Sequence, residues 1–169
     1  MVAVLAGGAS LAQEPSRPAT AWDPLVAARE IMLAARYCTL VTVGEAGRPQ
    51  ARTMDPFAPE ADLTVWLATN PKSRKVGQIH RNPCVALHYL DPKSEDTVTL
   101  YGLARLVSDS GEKRNRWKEE WKEFYPDRDA GYVLIAVTPE RVEILSPTRG
   151  FANDPVTWTP KTIQLPVKR

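Results

Sequence analysis

Ser73-Arg74-Lys75 sets a hydroxyl and two cations just after a strand-like run, Leu63 to Thr69, that Asn70-Pro71 breaks. A helical pattern continues to Arg81 and stops at Asn82-Pro83. The first N–H groups of a helix have no partner within it and favour an anion. Ser73 adds a donor, Arg74 a planar fork and Lys75 a point charge, which together make a candidate phosphate cradle. A basic helix start is also ordinary solvated surface, and these residues alone leave both readings open. Arg52, in Arg52-Thr53-Met54, is either an exposed strand arginine or a second hand on the same anion, and Met54 packs in a core or against a ring. In Trp66-Leu67-Ala68-Thr69 the strand alternation puts Trp66 and Ala68 on one face and Leu67 and Thr69 on the other. Trp66 reads as core, and Thr69, at the strand end, could donate to a ligand.

The sequence holds no nucleophile elbow, Walker loop or metal-binding histidine pair. Asp55 and Asp62 are the acids near the candidate site. Chemistry on such a chain is borrowed from a cofactor. Cys38 and Cys84 each lie in an apolar run and read as small buried hydrophobes; with His80 and His88 they give no metal-ligand spacing.

These residues need a scaffold, and 169 residues with 43% apolar and 25% charged side chains suit one globular domain. A net charge of +2 is too balanced to argue for nucleic acid, and no apolar stretch of about 20 residues is present to span a membrane. Residues 1–21 read as a leader. Met1 to Ala12 is small and apolar and ends in Ser10-Leu11-Ala12, as a signal peptidase requires, but lacks a positive n-region. The reading is a disordered leader on a cytoplasmic protein, with the remnant of an export signal as the alternative. Asp23-Pro24 starts a helix that carries Leu25, Ala28, Met32 and Ala35 on one face to about Arg36. Strands are expected at 37–43, 50–54, 63–69, 85–89 and 98–107, with 132–137 and 141–145 a pair or one bent strand. A polar helix over 110–124 carries Trp117, Trp121 and Phe124 as a packing stripe. Short turns between strands favour an antiparallel barrel over a parallel wind. The unit spans 22–146, and 147–169 is an extended tail that Phe151 and Trp158 pin down.

The order of these pieces resembles the pyridoxamine 5′-phosphate oxidase-like family, and most closely its smaller general stress protein 26-like branch. The markers are Leu40-Val41-Thr42-Val43, Gly47-Arg48-Pro49, Arg52-Thr53-Met54, Trp66-Leu67-Ala68-Thr69, Ser73-Arg74-Lys75, Gln78-Ile79, Asn82-Pro83 and Gly102-Leu103-Ala104, within about Leu25 to Leu145. The resemblance implies a mainly β fold, a six-stranded antiparallel split barrel with flanking helices that binds FMN at a homodimer interface. By it, Arg52, Arg74 and Lys75 hold the phosphate with Ser73 assisting, while Arg52, Thr53, Met54, Ala68 and Thr69 border the ring. It implies a flavin-dependent oxidoreductase of unknown substrate; the alternatives are a flavin-binding stress module without turnover, or a relative holding F420 or haem. Thr97 stands where the true oxidases carry a glutamine, Leu145 where they carry a tryptophan, and no Arg-x-His segment follows. These departures speak against vitamin B6 oxidase activity.

Overall fold

The computed structural model describes residues 22–166, so the leader and the last three residues of the tail lie outside the described residues. Helix α1 (Pro24–Ala35) starts where the Asp23 carboxylate accepts the N–H groups of Leu25 and Val26 at 2.9 and 3.0 Å, with Pro24 pre-set for the first turn. It buries Ala27, Ala28, Ile31, Met32 and Ala35 against the sheet. There follow β1 (Cys38–Val43), β2 (Pro49–Met54), β3 (Val65–Thr69), α2 (Arg74–Arg81), β4 (Cys84–Leu90), β5 (Thr97–Val107), α3 (Ser110–Asn115), β6 (Val133–Leu145) and β7 (Lys161–Gln164).

The fold is mainly β: a curled, antiparallel half-barrel of six strands in the order β2-β1-β4-β5-β6-β3, with β7 added to β6. β2 and β3 follow each other in the chain yet form the two ends of this path, so the barrel is split between them. The connection is stitched by the Phe57 N–H donating to the Trp66 carbonyl at 2.9 Å and the Glu60 N–H donating to the Thr64 carbonyl at 2.9 Å. Inside the curl, Leu40, Leu67, Leu87, Leu100, Ile135 and Ile144 form the main core with α1. Outside it, Trp66, Trp121, Tyr132, Leu134 and their neighbours form a second, aromatic cluster, as the alternation in β3 requires.

The region read as one helix over 110–124 is two pieces: α3 ends at Asn115, and a 3-10 turn occupies Glu119–Glu123. The break lets three consecutive side chains reach the same side. The Arg116 guanidinium lies 3.7 Å from the centre of the Trp66 ring, Trp117 packs on Tyr132, and Lys118 bonds Asp55 and the Pro56 carbonyl. A continuous helix would splay those residues by about 100° each. Phe124 falls outside the stripe and is 74% exposed. The segment read as a pair or one bent strand is a single strand, β6, and Cys84 is exposed, whereas Cys38 is buried.

The tail returns to the sheet. Phe151 is buried and bridges to Ser146, but Trp158 is 77% exposed and packs into no core among the described residues. Its loop is held by Asp154, whose carboxylate accepts the N–H groups of Val156 and Thr157. β7 then pairs Lys161–Gln164 with Arg141–Ile144.

A register shift bends the β5–β6 ladder at Tyr101/Gly102. A Cβ on Gly102 would run into the Thr138 carbonyl oxygen and stand 2.7 Å from Pro139 Cα, both main-chain atoms that cannot step aside. Gly102→Ala is therefore expected to destabilise the fold by about 1–3 kcal/mol, read as a lowered urea midpoint at unchanged slope.

Candidate functional site

The split between β2 and β3 carries the candidate residues from both edges. Arg52, Thr53 and Met54 stand on the β2 side, Ala68 and Thr69 on the β3 side, and Ser73, Arg74 and Lys75 follow at the start of α2. Arg52 is half-buried and pinned. Its Nη1 donates to Thr42 Oγ1 at 2.7 Å and to the Leu40 carbonyl at 3.3 Å, and its Nη2 donates to Gln78 Oε1 at 3.1 Å. Thr42 Oγ1 in turn donates to Gln78 Oε1 at 2.6 Å. Thr42 and Gln78, both buried, thus fix the guanidinium between β1 and α2. Sequence reasoning passed over these two as site residues. The available signal was a glutamine four residues after Arg74, beside the apolar Ile79, on a short and otherwise basic helix.

Lys75 Nζ donates to Thr69 Oγ1 at 2.8 Å, and Ser73 Oγ lies 3.2 Å from the same atom. Ser73 occupies the N-cap position of α2, but its hydroxyl is spent on Thr69 and caps no helix N–H. The first-turn N–H groups of α2 therefore lack a side-chain cap.

The eight residues are contiguous but serve two concavities. Thr53, Met54, Ala68, Thr69 and Lys75 line a pocket of about 450 Å³ whose rim carries Tyr37 and Phe124. Ser73 and Arg74 line a neighbouring groove of about 790 Å³, together with Arg48, Lys72, Gln78 and Arg81. Arg52 stands between them, in contact with Gln78 and repelled by the cations on either side.

No carboxylate pairs with Arg52, Arg74 or Lys75 among the described residues. Burial lowers the pKa of Arg52, and Arg74 lowers it further. Burial likewise lowers that of Lys75, with Arg52 adding to the effect. Cations partly removed from water and set against one another are an unfavourable arrangement that an anion between them would relieve.

A family model described as pyridoxamine 5′-phosphate oxidase matches residues 26–146. The chain belongs to the pyridoxamine 5′-phosphate oxidase family. A pyridoxine/pyridoxamine 5′-phosphate oxidase of Verminephrobacter eiseniae (strain EF01-2) is 41% identical over 71 residues, which make up 42% of this chain and 33% of that protein. The chain thus spans only about a third of that curated relative's length. The crystal structure of general stress protein 26 from Bacillus anthracis str. Sterne matches with a TM-score of 0.66 and 25% identity, over 83% of this chain and 98% of that one. A pyridoxamine 5′-phosphate oxidase-related, FMN binding protein from Nostoc punctiforme PCC 73102 matches with a TM-score of 0.60 and 18% identity, over 85% and 93% of the two chains. These matches bear out the split barrel and the likeness to the stress-protein branch that the ordered motifs carry.

Lys75 sets the sign of a pH effect. Its folded pKa lies below the unfolded value of 10.5, so the folded chain binds fewer protons than the unfolded chain in the window just under 10.5. The stability of the ligand-free protein is expected to rise with pH through that window relative to a Lys75→Gln variant. Millimolar inorganic phosphate should raise the melting temperature of the wild type near neutral pH and leave Lys75→Gln unmoved. An equal rise in both proteins would remove Lys75 from the anion site.

Proposed function

We propose that the chain binds FMN in the split between β2 and β3 and acts as a flavin-dependent oxidoreductase on a small molecule. The observation that carries this reading is the set of three cations, Arg52, Arg74 and Lys75, gathered without a carboxylate around an uncapped helix start. A phosphate would occupy that position. Thr53, Met54, Ala68 and Thr69 line the adjoining pocket, where the flavin ring would lie. The name of the Nostoc relative and the family's pattern support FMN as the occupant.

When bound, FMN supplies the redox chemistry. The residues of this chain bind and orient it: Arg52 is held by Thr42 and Gln78 so that its remaining donors keep one direction, and Lys75 is held by Thr69. A homodimer with the cofactor at its interface belongs to the same proposal. The exposed rings at the pocket rim, Phe124 at 74% and Tyr37 at 47%, would be covered by a second copy. The larger groove keeps one alternative in view, F420, whose acidic tail is longer than the FMN phosphate: Arg48 and Lys72 extend the basic lining past Arg74, while Arg81 there faces Glu45 at 4.0 Å.

Titration with FMN should give a yellow complex that releases free FMN on denaturation. Lys75→Ala and Arg74→Ala should each weaken binding about ten- to hundredfold, at roughly 1.5–3 kcal/mol per charged hydrogen bond. Arg52→Ala also severs the tie between β1, β2 and α2, so Arg52→Lys, which keeps the charge, is its companion. A parallel titration with F420 decides between the cofactors, and sedimentation of the loaded protein reads the dimer. Wild-type affinity in both alanine variants would refute the phosphate assignment.

A further inference from the structure

The basic groove beside the cofactor split is larger than one phosphate requires. Its volume is about 790 Å³, within the roughly 300–1,000 Å³ that takes a whole small ligand. One wall is the turn between β1 and β2, closed where the Gly44 N–H donates to the Arg48 carbonyl at 2.7 Å. The other is α2 with the residues just before it. Arg48 stands on the first wall, and Lys72, Arg74 and Arg81 on the second. Glu45 is the one carboxylate in this lining, although the chain as a whole carries 20 acidic against 22 basic side chains. The groove is therefore a local excess of positive charge and not an average piece of surface. Glu45 approaches Arg81 only to 4.0 Å, with both side chains largely exposed, and so neutralises little. Arg48, Lys72 and Arg74 have no carboxylate partner among the described residues.

A second observation lies on the floor. Gly77 sits inside α2, where glycine is less stable than alanine. Nothing among the described residues calls for it. Its φ is not left-handed, and a Cβ there would meet only the tip of Arg81 at 3.6 Å, an ordinary contact. The missing side chain bares the helix backbone to the groove and leaves room for a ligand to approach it. Ala46, Pro71 and Val76 complete a small, apolar floor between the cations. Charge alone gains nothing from such a surface, whereas a flat ring does.

We propose that this groove binds a nucleoside phosphate, its anionic group among Arg48, Lys72 and Arg74 and its base on the floor at Gly77. Two sources share that chemistry: the nucleotide half of a dinucleotide flavin, and a nicotinamide dinucleotide bound beside the flavin. The inference goes beyond the FMN reading, and the residues that test it, Arg48, Lys72 and Gly77, take no part in that reading.

ADP is the probe, titrated calorimetrically into the full chain, with adenosine and pyrophosphate as controls that keep only the base or only the charge. ADP is expected to saturate with a dissociation constant of about 1 mM or tighter, adenosine not to bind, and pyrophosphate to bind severalfold more weakly than ADP. A double variant, Arg48→Gln with Lys72→Gln, should weaken ADP at least tenfold and leave FMN affinity unchanged. Gly77→Ala should weaken ADP severalfold while raising the melting temperature, because it fills the floor and suits the helix better. Pyrophosphate binding as tightly as ADP, or unchanged ADP affinity in either variant, would overturn the proposal. FMN-loaded protein separates the sources. Retained ADP binding marks a ligand separate from the flavin, and loss of ADP binding together with FAD binding tighter than FMN marks the cofactor's own second half. Loss of ADP binding with no gain for FAD would put ADP in the FMN phosphate site and overturn the groove. Failure of FMN to bind with ADP binding intact would overturn the flavin reading and leave this one standing; failure of ADP with FMN binding intact would do the reverse.

Discussion

The guanidinium of Arg52 joins three elements at once. From β2 it reaches the Leu40 carbonyl and Thr42 on β1 and Gln78 on α2, which gives the helix that follows β3 a fixed position over the opposite edge of the split. The hydrogen bonds satisfy donors, but they supply no negative charge. The charge is left facing Arg74 and Lys75 across a partly dried space. The polar tie that builds the scaffold therefore also holds a repulsion that an anion placed there would relieve.

Such an arrangement trades stability for function in a recognisable way. The split itself belongs to the same trade. β2 and β3 are consecutive strands, yet each ends the sheet, and the connection between them is tied across by the Phe57–Trp66 and Glu60–Thr64 backbone hydrogen bonds rather than by a ladder. A closed barrel would satisfy more backbone groups. It would also have no opening lined from two edges, and Met54 and Thr69 would not border one cavity. The Gly102 bulge supports this geometry from the far side, since the bend it permits in the long β5–β6 ladder is part of what curls the sheet around α1.

What the sequence disclosed follows the range of each signal. Period-two runs and Asn-Pro or Asp-Pro breaks place β1 to β6, α1 and α2 to within a residue or two, because those signals are local. The 110–124 segment misled because its tryptophans keep helical spacing while Arg116 and Lys118 are recruited by Trp66 and Asp55, partners fifty or more residues away in the chain. Cys84 and Trp158 misled for the converse reason: apolar character is visible in the sequence, but which residues a strand end or tail loop leaves uncovered is not. At the site, the cations were legible as residue types in order. The buried pair Thr42 and Gln78 was not, since their role depends on three elements converging.

The tail strand β7 has a bearing on colloidal behaviour. β3 covers only Val133–Val137 of the long strand β6, and β7 takes the place beside Arg141–Ile144 that β3 is too short to reach. Without it, half of β6 would offer a bare ladder of donors and acceptors to any passing strand. Residues after the family's core thus act as a selvedge: they finish the cloth of the sheet where it would otherwise fray into contact with other molecules.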